Sequence, residues 1–197
     1  SITAIGTMMV QSSLNILGST LVAAFTAAGK IEQLVTQGYA AMGTTMATYG
    51  AQNMGAGQTS RARETLRVGC FIMAVTSLVL TGAVLGIGEP VIALFGVTEQ
   101  AAEQGGAFFA NVAGFYLIYG LAMAMRGFLE GLGDVLYSSL VGIGTLGVRI
   151  ALSYLLAQWA GWRIIAWAEA VSWCLMLVLY WARCWSKGRY LTRETAA

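Results

Sequence analysis

Histidine is absent from this 197-residue chain, and proline occurs once, at Pro90. A chain without histidine lacks the commonest general base and metal ligand of proteins. Charged residues make up only 10% of the sequence, whereas a soluble domain carries about 25%. The shortage of charge argues against an ordinary water-exposed surface. No nucleophile or acid–base constellation is visible, so the sequence predicts neither an enzyme nor a metal site.

Cysteine is also scarce, with Cys70, Cys174 and Cys184 scattered through apolar runs. Their spacing matches no metal site, and we interpret them as small hydrophobic residues. The net charge of +2 is too small to indicate a nucleic-acid partner. We therefore expect no cofactor and no nucleic acid.

Hydrophobic residues make up 57% of the chain, and they occur in runs of membrane-spanning length. The sequence predicts an all-α polytopic membrane protein whose solvent is the lipid bilayer. Residues 1–185 are expected to form a six-helix transmembrane lobe, and residues 186–197 a short basic cytoplasmic tail. The predicted spans are residues 2–29, 31–52, 68–87, 108–125, 135–159 and 164–185.

Glycine-rich segments mark the connections between these spans. Residues 52–57 are predicted to end the second helix, and residues 127–133 the fourth, because Asn and Gly favour leaving a helix with positive φ. Gly88, Glu89 and Pro90 are predicted to break the chain. The following run, residues 91–95, is too short to span and is expected to lie at the membrane interface.

Lysine and arginine are distributed unequally between the two sides of these spans. Eight basic residues fall on one side, and Lys30 and Arg163 on the other. The larger set is Arg61, Arg63, Arg67, Arg126, Arg183, Lys187, Arg189 and Arg193. Because cytoplasmic loops are enriched in Lys and Arg, the C-terminus is predicted to be cytoplasmic, in a bacterial inner membrane.

Two charged residues, Arg149 and Glu169, fall inside predicted spans on neighbouring helices. Both are expected about 10–15 Å below the outer surface, given 1.5 Å of rise per residue. Ionisable groups within a membrane are usually paired, so we predict an intramembrane ion pair. The pair would lock two helices or take part in ion coupling; alternatively, each residue faces water independently.

Polar side chains recur at four-residue spacing on the first two predicted helices, including Gln11, Asn15 and Gln37. Such a stripe either bonds neighbouring helices together or forms one wall of a water-filled cavity. On the fourth helix Asn111 and Tyr119 share a face with Phe115 and Met123. That face would hold flat organic cations by dispersion and cation–π contact, or it is ordinary core packing.

Small residues at four-residue spacing occur twice, as Gly43 with Ala47 and as Gly127 with Gly131. Such pairs allow two helices to approach closely, and we interpret both as packing motifs.

Three segments together resemble the multidrug and toxic compound extrusion (MATE) family. Residues 50–57 followed by Arg61-Ala62-Arg63 resemble the signature that closes the second helix of each half. Residues 23–34 resemble the link between the first two helices, and residues 126–134 the close of the fourth. The resemblance covers nearly the whole chain.

The resemblance implies twelve helices in two six-helix lobes, of which this chain would supply helices seven to twelve. The chain begins at Ser1 rather than Met, and its expected partner is a missing N-terminal lobe of the same polypeptide. The implied function is efflux of small amphipathic organic cations, driven by Na⁺ or H⁺.

One branch of the family carries acidic residues in helices seven and ten. The matching stretches here hold Gln11, Asn15 and Asn111, which do not titrate. Proton coupling is therefore not expected through this lobe, and the coupling carboxylate is expected in the absent one.

The sequence also fits other kinds of protein. A lipid-linked sugar flippase of the same superfamily would need basic residues around its cavity, and Arg149 alone qualifies by sequence. A membrane enzyme would need clustered His, Asp or Glu near one membrane face. A non-transporting scaffold subunit, or a half-size protein that dimerises, would also fit six spans.

Overall fold

The computed structural model describes residues 19–160 and 163–194, and this part of the chain is helical with short turns. Its helices are α1 (Ser19–Gly55), α2 (Thr59–Ala93), α3 (Glu99–Val112), α4 (Tyr116–Gly131), α5 (Val135–Ala160) and α6 (Arg163–Glu194). A 3₁₀ turn, Ala113–Phe115, joins α3 to α4 without a break in direction. No strand occurs within the described ranges. The all-helical class predicted from sequence is confirmed.

Helix α1 is continuous through Gly29 and Lys30, where the sequence had predicted a boundary. That prediction was wrong because the neighbouring alanines are strong helix formers, and Ala24 and Ala28 are completely buried. Gly29 has a negative φ, which is compatible with a continuous helix. The first predicted span, residues 2–29, lies mostly outside the described residues.

Helix α2 also continues past its predicted end, with Pro90 inside its last turn. A proline removes one backbone hydrogen bond, but here Pro90 is exposed and lies three residues before the end of the helix. Ile92 is completely buried, and Gly88 packs against Phe109. Burial on both sides of Pro90 outweighs the lost bond, so the predicted separate interfacial segment does not form.

The remaining spans are longer than predicted, except α5. The fourth span begins at Glu99 rather than near residue 108, with the Thr98 hydroxyl accepting a hydrogen bond from Ala101 N at 3.3 Å as an N-cap. Helix α6 extends to Glu194 and so includes most of the predicted basic tail. Helix α5 begins at Val135, as predicted.

Glycine ends both α1 and α4 with the same hydrogen-bonded motif. Gly57 has a φ of 69°, and Gly133 a φ of 82°. Gln58 N donates to Asn53 O at 2.8 Å, and Asp134 N donates to Leu129 O at 2.9 Å. These six-to-one bonds are Schellman caps, which place a left-handed residue just after the helix. The chain reversals predicted from glycine are therefore present.

Helices α1 and α4 run parallel and touch through their backbones. A Cβ added to Gly127 would collide with the backbone of Gly43, and one added to Gly131 would collide with the backbone of Ala47. The two small-residue pairs singled out in the sequence thus face each other. Close backbone approach of this kind is a common way for membrane helices to associate.

Helix α5 contacts α6 along its length, but within the described residues it touches α4 only sparsely. Two hydrogen bonds fix the α5–α6 register: Tyr180 Oη donates to Ser138 O at 2.9 Å, and Tyr137 Oη donates to Leu179 O at 3.0 Å. A space therefore remains between α4 and α5.

Three stretches of the described residues are long and apolar enough to cross a bilayer, namely Thr59–Ala93, Glu99–Gly131 and Val135–Ser153. Large apolar side chains point outward from the bundle, among them Phe71 (69% exposed) and Leu136 (75% exposed). Lipid tails solvate such a surface, whereas water does not. The fold is that of a multi-pass membrane protein.

Replacing Gly127 with Ala should destabilise the bundle by about 1–3 kcal/mol, because the new methyl group forces α1 and α4 apart. Gly144→Ala is the matched control, since a Cβ at Gly144 meets no atom within 4 Å. Thermal unfolding in detergent, followed by tryptophan fluorescence, measures both. Equal melting temperatures for the two variants would contradict the proposed backbone contact.

Candidate functional site

One face of α1 is polar and open. Gln33, Gln37, Thr44, Thr48 and Gln52 are all exposed. The hydroxyl groups bond within their own helix: Thr44 Oγ1 donates to Ala40 O at 3.1 Å, and Thr48 Oγ1 to Thr44 O at 3.0 Å. These threonines therefore do not use their hydroxyl donors to join helices of the described bundle. Because lipid cannot satisfy amides, this face requires water or another polar surface beside it.

The opposite face of α1 is buried and carries an acidic residue. Glu32 shares this face with Tyr39 and Gly43, at spacings of seven and eleven residues. Glu32 is partly buried, and its Oε1 is shielded from solvent without a hydrogen-bond partner. Sequence reasoning missed Glu32 because it placed residues 23–34 at a link between helices. The helical spacing to Tyr39 was the available signal.

Helices α5 and α6 bring a basic and an acidic residue together at the same level. Arg149 Nη1 lies 2.5 Å from Glu169 Oε1. Glu169 is 2% exposed, while the Arg149 side chain is 27% exposed. The two residues named as a pair from the sequence thus form an ion pair in the structure. Its role in coupling stays a prediction.

Glu32 belongs to the same cluster of charges. It interacts electrostatically with both Glu169 and Arg149, so α1, α5 and α6 all contribute a charged group. The hydroxyls of Tyr116 and Tyr119 interact electrostatically with both carboxylates. We call Glu32, Arg149 and Glu169 the buried charge cluster.

Aromatic rings surround this cluster on the α4 side. The Tyr119 ring lies 4.8 Å from that of Trp173 and 5.4 Å from that of Tyr39, measured between centroids. Tyr116 lies 6.0 Å from Trp173. These contacts join α1, α4 and α6, and the face predicted around Tyr119 packs within the lobe.

A cavity of about 460 Å³ opens between α4, α5 and α6 next to the cluster. Arg149 lines it near one end and Arg126 nearer the α4–α5 turn. Arg126 Nε also donates to Glu130 Oε1 at 2.8 Å. The remaining lining is mixed polar and apolar: Tyr119, Met123, Ser139, Gly142, Ile143, Thr145, Leu146, Ser172, Trp173 and Met176.

The other predicted binding residues lie apart from this cavity. Gln37 is exposed on the polar face of α1. Asn111 is half-buried on α3, where its Nδ2 donates to Ala107 O at 2.6 Å, so its donor is used within its own helix. Gln11 and Asn15 lie outside the described residues. Of the three predicted substrate residues that the structure describes, Tyr119 lines the cavity, while Gln37 and Asn111 lie elsewhere.

At the end of the bundle where α5 begins, Asp134 joins the α4–α5 turn to α6. Arg183 Nε donates to Asp134 Oδ2 at 2.6 Å, and Arg183 Nη2 donates to Asp134 Oδ1 at 3.1 Å. Lys187 Nζ lies 3.9 Å from Asp134 Oδ2, and the Arg183 guanidinium lies 4.8 Å from the Tyr137 ring centroid. The hydrogen bond from Arg183 holds the pKa of Asp134 below its ordinary value.

Among the described residues, no group of three or more Cys, Asp or Glu side chains is arranged to hold a metal ion. Two carboxylates, those of Glu32 and Glu169, are instead grouped around the guanidinium of Arg149, with the phenols of Tyr116 and Tyr119 nearby. What this arrangement offers chemically is a buried, charged centre beside a cavity, inside a bundle of apolar helices.

An apolar helix bundle with a buried charge cluster and an exposed polar face on α1 is a multi-pass membrane protein. The chain belongs to the MatE family, whose model matches residues 1–155. It is 23% identical over 191 residues to the probable multidrug resistance protein YoeA of Bacillus subtilis (strain 168). That match covers 93% of this chain and 41% of the relative, so the chain spans less than half of the relative's length.

Solved structures of transporters from this family share the fold. A crystal structure of MATE in the bent conformation matches with a TM-score of 0.84 at 16% identity, covering 91% of this chain and 41% of its own. An inward-facing MATE family transporter of the MOP superfamily matches at 0.84 and 16% identity, covering 89% and 40%. An outward-facing one matches at 0.80 and 17% identity, covering 91% and 40%. The fold corresponds to one lobe of such a transporter.

Replacing Asp134 with Asn should destabilise the protein at pH 7 by about 1–2 kcal/mol, given charged hydrogen bonds and a partly exposed Arg183. Because the native pKa is lowered, the stabilisation is complete above the unfolded value of about 3.9 and is lost as the pH falls through the native value. The gap in melting temperature between wild type and Asp134→Asn should therefore shrink between pH 7 and pH 3. An exposed carboxylate on α3 provides the control, as Glu103→Gln; a gap that stays constant with pH would refute the assignment.

Replacing Arg149 with Met should cost about 3–5 kcal/mol, because it leaves the buried carboxylate of Glu169 and the partly buried one of Glu32 without a counter-charge. Glu169→Gln should cost less, since Arg149 still faces Glu32. The double variant should be milder than the sum of the single changes, as measured by denaturant or thermal unfolding. Additive effects would mean that the two side chains do not interact; Glu99→Gln combined with Arg149→Met provides an additive reference.

Proposed function

We propose that this chain forms the C-terminal lobe of a multidrug efflux transporter, which exchanges amphipathic organic cations for Na⁺ or H⁺. Family membership supports a transporter role. The observation that carries the proposal furthest is the exposed polar face of α1, which contains Gln33, Gln37, Thr44, Thr48 and Gln52. It is incompatible with lipid, and a polar face on an otherwise apolar bundle is what a lobe needs to line a shared aqueous pathway.

The substrate class follows from what this face presents. It carries neutral amides and hydroxyls, with the aromatic ring of Tyr49 (56% exposed) and the apolar side chain of Leu34 (74% exposed) at its margin. Such a surface binds apolar bodies and positively charged groups without demanding one fixed geometry. This composition favours diverse flat cations over a single polar metabolite.

Transport would require a second lobe, since this chain is less than half the length of its relative. The similar fold match to inward- and outward-facing transporters, with TM-scores of 0.84 and 0.80, supports a lobe that keeps its internal packing. Two such lobes rocking about a central site would give alternating access. The close α1–α4 contact is consistent with a lobe that moves as one body.

We further propose a bacterial inner-membrane location with a cytoplasmic C-terminus. In the structure the end of α1, the start of α2 and the Asp134–Arg183 contact lie at the same end of the bundle. That end therefore gathers most of the chain's lysines and arginines, the distribution expected of a cytoplasmic surface.

A lipid-linked sugar flippase is the second candidate function. The charges that line the cavity are the observation by which it can be judged. The structure adds Arg126 to Arg149 among the cavity-lining residues, which would suit an anionic headgroup. However, Arg126 pairs with Glu130 and Arg149 with Glu169. The paired carboxylates offset both positive charges, so the cavity favours an anionic lipid less than two free arginines would.

Gln37→Leu should weaken efflux of organic cations about two- to tenfold, because it removes one polar contact worth about 0.5–1.5 kcal/mol. Drug-resistance titration of cells expressing the complete transporter measures the loss, alongside protein levels in the membrane. Leu155→Ala is the control, since Leu155 is 72% exposed on α5, away from the polar face.

Normal resistance in Gln37→Leu would remove α1 from the transport pathway. If both variants and the wild type confer resistance to no cationic drug, while the protein reaches the membrane, the efflux function itself is wrong.

A further inference from the structure

We propose that one end of the bundle, between α2 and α6, binds the headgroup of an anionic phospholipid, and that the guanidinium of Arg63 binds its phosphate. This end holds the α1–α2 turn and the α4–α5 turn, and we call it the basic end. The inference goes beyond efflux. It rests on the proposed orientation, which places the basic end at the cytoplasmic leaflet.

The guanidinium of Arg63 has two hydrogen-bond donors without an acceptor. Its Nε and Nη2 are shielded from solvent, and neither has a hydrogen-bond partner, although the residue as a whole is only partly buried. Burying the donors of a charged group without a partner is costly. Nε and Nη2 lie on one edge of the guanidinium, and this edge matches two oxygens of a phosphate group. The open donors therefore indicate an anionic ligand with paired oxygens.

Three of the described carboxylates lie at the basic end, and none of them is paired with this guanidinium. Glu130 binds Arg126 at 2.8 Å, and Asp134 binds Arg183 at 2.6 Å. Glu64 is the next residue along α2 and is exposed, and adjacent residues on a helix do not face each other. One positive charge is therefore left without a counter-charge here, and a headgroup with one negative charge would balance it.

Arg63 lies on the side of α2 that is turned toward α6. It shares a helix face with Cys70, which is seven residues farther along. Cys70 is within electrostatic range of Cys184 on α6, and α4 packs against both helices. Arg63 is therefore beside the space where α2 and α6 flank α4.

The three helices end at different heights, which leaves a recess at the basic end. Cys184 Sγ lies 3.9 Å from Met125 O, so Cys70, Met125 and Cys184 are at about the same level. At 1.5 Å of rise per residue, α4 ends about 9 Å beyond Met125, whereas α2 and α6 end about 15 Å beyond Cys70 and Cys184. The two outer helices therefore project about 6 Å past α4. Arg63, about 10 Å beyond Cys70, lies beside the end of α4.

Two tryptophans mark where this recess meets the lipid. The rings of Trp181 and Trp185 are stacked, with centroids 6.0 Å apart and planes at 4°, and the residues are 54% and 55% exposed. Trp181 is three residues from Cys184, so the two side chains are neighbours on the surface of α6. Exposed tryptophans near the end of a membrane helix lie at the boundary between acyl chains and headgroups. Arg63, about 10 Å nearer the basic end, is therefore at the depth of the phosphate.

The test is lipid-dependent stability of the complete transporter, purified in a neutral maltoside detergent. Melting temperature is measured in detergent alone, with added phosphatidylglycerol, which is anionic, and with phosphatidylcholine, which has no net charge. The wild type should melt about 2–4 °C higher with phosphatidylglycerol than in detergent alone, and the gain with phosphatidylcholine should be smaller. Equal gains with the two lipids would overturn an anionic headgroup site.

Arg63→Gln should lose the gain from phosphatidylglycerol. In detergent alone this variant should melt no lower than the wild type, because it removes two donors that have no partner. A structural role for Arg63 predicts the opposite, namely the same destabilisation with and without lipid, and that result would refute the site.

Arg61→Gln is the matched control. It removes the same charge from the same turn of α2, but Arg61 is exposed and its Nη1 donates to Gln58 Oε1 at 3.1 Å. This variant should keep the wild-type gain, and an equal loss in both variants would mean diffuse surface charge rather than a site. Arg63→Lys keeps the charge without the paired donors. It should need at least threefold more phosphatidylglycerol for half of the gain, and a wild-type requirement would contradict the two-donor contact.

A soluble anion provides the remaining comparison. Inorganic phosphate at millimolar concentration, without lipid, should not raise the melting temperature of the wild type. If it reproduces the gain and Arg63→Gln abolishes it, the ligand is a soluble phosphate and the lipid assignment is wrong. These measurements involve no transport, so a failure of the efflux proposal leaves their outcome unchanged, and a failure of the lipid site leaves efflux unchanged.

Discussion

A charge placed in a low-dielectric interior must have a counter-charge near it, and the packing of this lobe is organised around that requirement. Arg149 lies on α5, the carboxylate it binds lies on α6, and a second carboxylate approaches from α1. Three helices must therefore sit at one level for the cluster to exist. Removing one member of a buried ion pair costs much more stability than forming the pair contributes. The cluster therefore does more to fix the positions of the helices along one another than to stabilise the fold.

Two sets of contacts hold the helices at that level. On the α5–α6 side, the Tyr180–Ser138 hydrogen bond and the Asp134–Arg183 pair fix how far the two helices slide past each other. On the α1–α4 side, backbone contact at Gly127 does the same. The first set is polar and directional, and the second depends on the absence of a side chain. Together they fix α5 against α6 and α1 against α4.

The parts of the fold that were predictable from sequence are those decided locally. Gly57 and Gly133 end helices because only glycine adopts positive φ without strain, and the start of α5 follows directly from one of these caps. Gly29 and Pro90 misled for the opposite reason. Each has a local preference for ending a helix, and burial of neighbours such as Ala28 and Ile92 overrode it. Tertiary packing of this kind is not visible in a residue's own neighbourhood.

The candidate site also contains some residues that the sequence identifies and others that only tertiary packing identifies. Arg149 and Glu169 were identifiable because charged residues in apolar runs are conspicuous, and a short turn makes their helices antiparallel neighbours. Glu32 was not, because it stands beside Lys30 and Gln33 in a stretch that reads as a polar connection. Asn111 was named for its residue type, yet one of its amide donors is bonded to its own helix. Residue type suggests candidate site residues. Only the packing shows which of their hydrogen-bond donors and acceptors are unused.

The one-sided attachment of α5 has a mechanical consequence. This helix is secured at its base by the Asp134–Arg183 pair and along one flank by α6, while its other flank borders the cavity. The Arg149–Glu169 ion pair secures α5 to α6 a second time, about 20 Å from that base at 1.5 Å of rise per residue. Any widening of the cavity on the other flank would therefore either leave α5 attached to α6 or break that ion pair.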